Sequence, residues 1–313
     1  MHPILDHQLI SERYFFPQKI PLPHATRVKT SDGIELACWR SAPPSDKPVL
    51  VHFHGNGELV HHWIPDFVPT IQAMGYEVFL AEYRGYGASG GAPRLGAMLH
   101  DVQAIVEAVG LPTEQLVAFG RSVGSIYAIE MAYQFPDIAG LILESGICDV
   151  LQRLLLRMHP NELGCTREQL ESAVNDALDH EKKLKSFTAP LLVLHAEHDD
   201  LVPIIHAETN HRWSASRSKK LVRFPRGDHN SILAMNTQAY FFEVSNFLGT
   251  LNDDSPESES KLMEAIEKLE VIRTQRTQGL DKGRFVRRVV EEMDEQLNAL
   301  KDELAKLRAR NIE

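Results

Sequence analysis

Short runs rich in Val, Leu and Ile recur along the first 250 positions, each followed by a longer amphipathic run. Two of the short runs, 28–30 and 34–39, flank Ser31-Asp32-Gly33, a turn signal that predicts an antiparallel hairpin. The next six, 48–53, 77–81, 115–120, 140–143, 190–195 and 220–224, are mostly continuous rather than alternating in character. That is the signature of strands buried on both faces of a parallel sheet. Between them the periodicity predicts helices over 59–74, 95–109, 122–135, 204–214 and 231–248. Strand and helix alternating in this way specify an α/β domain with a mostly parallel central sheet, helices on both faces and right-handed crossovers.

Two stretches depart from the rhythm. Residues 150–188 carry helical periodicity twice without a strand between, which predicts a small helical insertion, either a cap over the binding site or a longer crossover packed on the sheet. The polar run 252–258 closes a domain spanning 1–251 and acts as a linker. Beyond it, 259–313 has no strand signal. Val286, Val290, Met293, Leu297, Leu300, Leu304 and Leu307 alternate four- and three-residue spacings, with Leu262, Ile266 and Leu269 upstream and a glycine-containing loop at 277–283 between. A seam this narrow predicts a helical hairpin or coiled-coil extension that needs a partner: its own second arm, the α/β body, or a second subunit in a homo-oligomer.

Composition narrows the function classes. Thirty-three Lys and Arg against 43 Asp and Glu give a net charge of −10, which argues against a general nucleic-acid binder. No apolar run approaches the length of a transmembrane helix. The start of the chain lacks the basic, apolar and small-residue segments of a signal peptide, so a cytoplasmic location is expected. Cys38, Cys148 and Cys165 are three in number without CxxC spacing, which predicts neither a disulfide framework nor a zinc site. His52, His54, His61 and His62, or His195 with His198 and Asp199, show no metal-ligand spacing, and no cofactor or metal is expected.

Chemistry concentrates at Gly120-Arg121-Ser122-Val123-Gly124, a G-x-S-x-G motif between an apolar strand and a helix. In that context the turn strains the serine backbone, flanking glycines let neighbouring segments close in, and the hydroxyl stands beside a helix N-terminus. A serine hydroxyl needs a base, and the base an orienting acid. Gly227-Asp228-His229-Asn230 follows the last predicted strand and offers His229. The loop after the preceding strand offers Asp199 and Asp200, next door to the histidine loop.

Together HFHGNGE (52–58), EYRGYGASGG (82–91), GRSVG (120–124), LILESG (141–146), DDLVP (199–203) and GDHN (227–230) resemble the serine α/β-hydrolase superfamily over about 12–250. Within it they are similar to the branch of Bem46 and the α/β-hydrolase domain-containing proteins 13 and 17, small esterases and depalmitoylase-like enzymes. Glu82 departs from the Asp that relatives carry in a segment that is structural in the family. The resemblance implies an α/β-hydrolase fold and the chain order Ser, Asp, His. Its D-x-x-V-P pattern selects Asp199 over Asp200, with Glu144 as an outside candidate for the acid. It implies oxyanion donors at the backbone N–H groups of Asn56 and Val123, and a bracing role for His54. The expected reaction is hydrolysis of a small-molecule carboxylic ester or thioester through an acyl-enzyme on Ser122. The alternatives are a serine peptidase, and a vestigial hydrolase that works as a scaffold through its C-terminal helices.

Overall fold

The computed structural model describes residues 3–43 and 45–251 and, beyond them, positions 263, 266, 267, 270, 274, 294, 297, 298, 300, 301, 304 and 305. The chain divides into two units, Met1–Phe247 and Leu248–Glu313.

In the first unit β1 (Thr26–Lys29) and β2 (Glu35–Arg40) form the expected antiparallel hairpin. Gly33 supplies its left-handed residue at φ 84°. The guanidinium of Arg84 forks onto Asp32 in this turn at 2.6 and 2.8 Å and onto Asp101 at 2.5 Å. Asp101 lies on α3 (Leu95–Val109), so the hairpin tip is tied to that helix. The remaining strands are β3 (Val49–Phe53), β4 (Glu77–Ala81), β5 (Leu116–Arg121), β6 (Gly140–Glu144), β7 (Leu191–Ala196) and β8 (Lys219–Phe224). Among the described residues they make one eight-stranded sheet in the order β1-β2-β4-β3-β5-β6-β7-β8. β2 joins β4 antiparallel, and every later pairing is parallel. Every residue of β3 to β7 is buried, so both faces of the sheet are covered and the strands read as unbroken apolar runs. The edge strand β8 carries Lys219, Lys220 and Arg223, charges that discourage further pairing.

Helix α4 (Gly124–Gln134) packs beneath β3, β5 and β6, and α8 (Ile205–Trp213) against β7 and β8. The insertion between β6 and β7 is helical: α5 (Val150–Leu155), a 3-10 turn at Pro160–Leu163, α6 (Arg167–Leu178) and α7 (His180–Ser186). Two expected helices differ in detail. The one over 59–74 is a 3-10 turn, Val60–His62, followed by α2 (Phe67–Ala73). Pro65 has no N–H and disfavours helical geometry at the residue before it, which separates the two. The last helix, α9 (Ile232–Leu251), kinks at Asn236, whose φ is −132°. The Asn236 amide turns back onto the Ile232 and Arg226 carbonyls at 2.8 and 2.9 Å. A further helix, α1 (Gln8–Tyr14), has no counterpart in the sequence-based expectation.

In the second unit the described positions from 263 onward are helical. Ile266 and Leu297 are buried, and Lys301 pairs with Glu270 at 2.5 Å across 31 positions. Of the heptad seam, Leu297, Leu300 and Leu304 fall on helix. Val286, Val290, Met293, Leu307, Leu262, Leu269, the 252–258 linker and the 277–283 loop lie outside the described residues. No helix among the described residues is long and apolar enough to cross a membrane.

The tightest backbone approach in the first unit is at Gly124. A Cβ there would overlap the Phe53 carbonyl oxygen and sit 2.7 Å from that of His54. Gly124→Ala is therefore expected to destabilise by at least ~2–3 kcal/mol, the upper range for forced overpacking. Gly249 lies in α9, and a Cβ added there would meet nothing within 4 Å, so Gly249→Ala should be neutral or stabilising by about 0.5–1 kcal/mol. Urea unfolding of the two variants against the parent chain checks the contrast.

Candidate active site

The carboxyl ends of β3, β5, β6 and β7 lie level in the sheet, with Phe53 beside Gly120, Arg121 beside Glu144 and Glu144 beside Leu194. Loops leaving those ends therefore converge on one edge, where ligands bind in sheets of this kind. Ser122 turns between β5 and α4 with φ at 53°, left-handed geometry that costs a non-glycine residue about 1–3 kcal/mol. Its N–H still donates to Glu144 O at 2.8 Å, as if the strand continued. The turn fits because a Cβ at Gly120 would lie 2.6 Å from both Ala128 Cβ and Ser125 Cα, space that only glycine leaves open. Ser125 Oγ locks it from behind, donating to Ser122 O at 2.6 Å and accepting the Ile147 N–H at 2.9 Å.

The structure brings the other two predicted side chains to Ser122. His229 Nε2 lies 2.9 Å from Ser122 Oγ, and His229 Nδ1 lies 2.7 Å from Asp199 Oδ2. All three residues are buried. Asp228 holds the histidine loop by accepting the Asn230 and Ser231 amides at 3.0 and 2.9 Å. The remaining Asp199 oxygen accepts the Leu201 and Val202 amides at 3.1 and 2.7 Å. Burial works to raise the Asp199 pKa. It is outweighed by the His229 hydrogen bond and charge and the Val202 amide, so the carboxyl sits below its usual range. Asp200 is exposed on the same loop. His195, unforeseen in this place, donates Nε2–H to Val202 O at 2.7 Å and lies 3.4 Å from Asp199 Oδ2. Burial lowers its pKa, so it is neutral.

Glu144, the outside candidate for the acid, faces elsewhere. One of its oxygens accepts Arg121 Nε at 3.0 Å and the other the Tyr240 hydroxyl at 2.5 Å. The Asn56 and Val123 amides have no acceptor among the described residues. The close approach at Gly124 sets the start of α4 against the Phe53–His54 backbone, two residues before Asn56. The Asn56 side chain is fully engaged: Nδ2 donates to Tyr14 O, and Oδ1 accepts the Phe16 N–H at 3.0 Å and the Tyr86 hydroxyl at 2.8 Å. The segment that follows α1 thus grips this loop, a contact for which the chain offers no local signal.

Comparison with known proteins agrees with this fold. A family profile described as serine aminopeptidase, S33, matches residues 44–167. The α/β-hydrolase domain-containing protein WAV2 of Arabidopsis thaliana is 26% identical over 236 residues, covering 71% of this chain and 77% of that protein. The protein bem46 of Schizosaccharomyces pombe is 26% identical over 239 residues, covering 74% and 78%. Among solved structures, the Pyrococcus furiosus esterase Pf2001 superposes with a TM-score of 0.59 at 17% identity, over 74% of this chain and 95% of that one. The chain has the fold of the α/β-hydrolase superfamily. Its relatives fit the Bem46 branch of that superfamily.

His54, two residues before Asn56, is buried. His54 donates from Nδ1 to Gly55 O at 2.8 Å and from Nε2 to Glu82 Oε1 at 2.7 Å. Both partners are oxygens that accept, an arrangement that favours the doubly protonated ring. Tyr83 completes the brace, its hydroxyl donating to His54 O at 2.7 Å. His52 instead packs among the rings of Trp63, Phe67 and Phe119 at 4.3, 5.1 and 5.0 Å, and burial drives its pKa well down. No group of three or more His, Cys, Asp or Glu among the described residues is arranged to hold a metal.

Burial opposes the charge on His54 but is outweighed by Glu82, leaving the pKa above the usual value of 6.5. A raised folded-state pKa contributes stability that is complete below the unfolded value and is lost as pH rises through the folded value. Glu82→Gln is therefore expected to destabilise most below pH 6.5, with the gap to the parent chain narrowing at higher pH. Urea unfolding of both proteins on either side of neutrality reads this directly. A gap that widens with pH contradicts the assignment.

Proposed function

We propose that this α/β-hydrolase cleaves carboxylic esters or thioesters of small molecules through an acyl-enzyme on Ser122. The observation that carries the reading is the buried relay in which His229 reaches Ser122 Oγ at 2.9 Å and Asp199 at 2.7 Å. Ser122 Oγ attacks the carbonyl carbon while His229 Nε2 takes its proton. Asp199 holds Nδ1–H and so fixes the tautomer that leaves Nε2 free to accept, and it stabilises the resulting imidazolium. The carbonyl oxygen becomes an oxyanion facing the free amides of Asn56 and Val123. One such donor is worth about 10²–10³ in rate in acyl transfer. Collapse expels the alcohol or thiol, which receives the proton from His229. Water, deprotonated by the same imidazole, then attacks the acyl carbon and frees Ser122.

An apolar acyl group suits the surroundings. Leu201, two residues past Asp199, and Ile205 at the start of α8 both stay largely exposed beside the acid loop. The test is a p-nitrophenyl ester chain-length series, with an aminoacyl p-nitroanilide as the peptidase comparison suggested by the family profile. Ser122→Ala is expected to lower kcat/KM by at least ~10³-fold and Asp199→Asn by ~10³–10⁴-fold. Asp200→Asn should stay within about twofold, since a surface change distant from the relay removes no transition-state contact. Turnover of the anilide alone transfers the reading to peptidase chemistry, and ester turnover that survives in Ser122→Ala overturns it.

A further inference from the structure

Arg121 is buried immediately before the nucleophile, where an unpaired guanidinium would be costly. Each donor edge has a different partner. Nε meets Glu144 at 3.0 Å, Nη1 meets Glu58, and Nη2 donates to the main-chain carbonyl of His229 at 2.8 Å. A structural ion pair would need only a carboxylate, yet one edge of this fork is given to the backbone of the residue that reaches Ser122. The second carboxylate leads to the other side of the site, because Glu58 Oε2 accepts the Gly55 amide at 2.7 Å, one residue before Asn56. Burial opposes the charge on Arg121, and Glu144 with Glu58 outweighs it, so the cation is permanent.

We infer that Arg121 is a positioning residue which, through one guanidinium, holds the His229 loop and the Gly55–Asn56 loop in register about Ser122, with Glu58 as the strap to the oxyanion side. The inference rests on the acyl-enzyme reading above. Its physical content is the steep dependence of rate on geometry: about 1 Å of misplacement costs on the order of 10²-fold. Lysine cannot replace the fork, since a single ammonium head does not span three partners held in a plane. A cavity of about 740 Å³ between α2 and α9 is lined by Glu58, Arg121, Glu144 and Asn230, so the guanidinium position is reachable by a small solute.

The experiment measures kcat and KM on p-nitrophenyl acetate, the fluorophosphonate labelling rate and thermal melting. It uses the full chain, Ser122→Ala, Arg121→Lys, Glu58→Gln, and Arg121→Ala with and without guanidinium at non-denaturing concentration. The expected result for Arg121→Lys is a fall in kcat of about 10²-fold, matched in the labelling rate, with KM within about threefold. Arg121→Ala should lose at least as much and regain about tenfold with guanidinium but not with tetramethylammonium at equal ionic strength. Glu58→Gln should lie between the parent and Arg121→Lys. If Arg121→Ala does not fold, Arg121→Met with Glu144→Gln removes the cation together with the anion it neutralises, and the same loss of kcat is expected. Labelled, folded Arg121→Lys with kcat within about threefold of the parent chain overturns the inference alone. A parent chain whose ester turnover does not depend on Ser122 overturns the acyl-enzyme reading and the inference with it.

Discussion

The approach of α4 to the end of β3 is the contact on which the rest of the site depends. A side chain at Gly124 would overlap the Phe53 carbonyl oxygen, so the helix can start where it does only with glycine in that place. From that contact the geometry follows outward. The turn into α4 puts Ser122 in left-handed backbone geometry, at φ 53°. The sheet supplies the other half of the constraint. Because β5, β6, β7 and β8 end side by side, the loops bearing Asp199, after β7, and His229, after β8, arrive at the same edge as the serine.

Around this contact the polar groups form closed systems. Asp199 takes two amides and one His229 nitrogen, and His195 stands beneath it as a neutral ring. Arg121 is shared between two carboxylates and a carbonyl, and His54 between a carboxylate and a carbonyl. Buried charge is tolerated only when paired and hydrogen-bonded, and each of these charges is both. Among the described residues the amides of Asn56 and Val123 have no acceptor. Donors left open beside the serine are suited to a charge that exists only part-way through a reaction.

Local chemistry was legible in the sequence, and long-range grips were not. The strands showed as unbroken apolar runs because both of their faces are covered, and Ser122 and His229 stood out because turn glycines and strand ends surround them. Asp199 and Asp200 are indistinguishable by type. Resemblance favoured the first, and the fold turns it inward onto His229 while leaving the second exposed. The helix over 59–74 failed at Pro65 because periodicity does not register a missing N–H, and the kink at Asn236 arises from a side chain bonding back to Ile232 O. The Asn56 side chain reaches Tyr14 and Phe16, 42 and 40 positions away, and no pattern within a helix or strand announces such a bond. Arg121 and Glu58 were each visible in a motif, but their meeting across 63 positions was not.

The proposed chemistry turns on a single activated hydroxyl. Incubation with a fluorophosphonate, followed by intact-mass determination and peptide mapping, tests it most directly. The expected result is one phosphonyl group per chain, on the peptide containing Ser122 and abolished in His229→Ala. An adduct on any other residue, or a folded chain that takes up no reagent, contradicts the account.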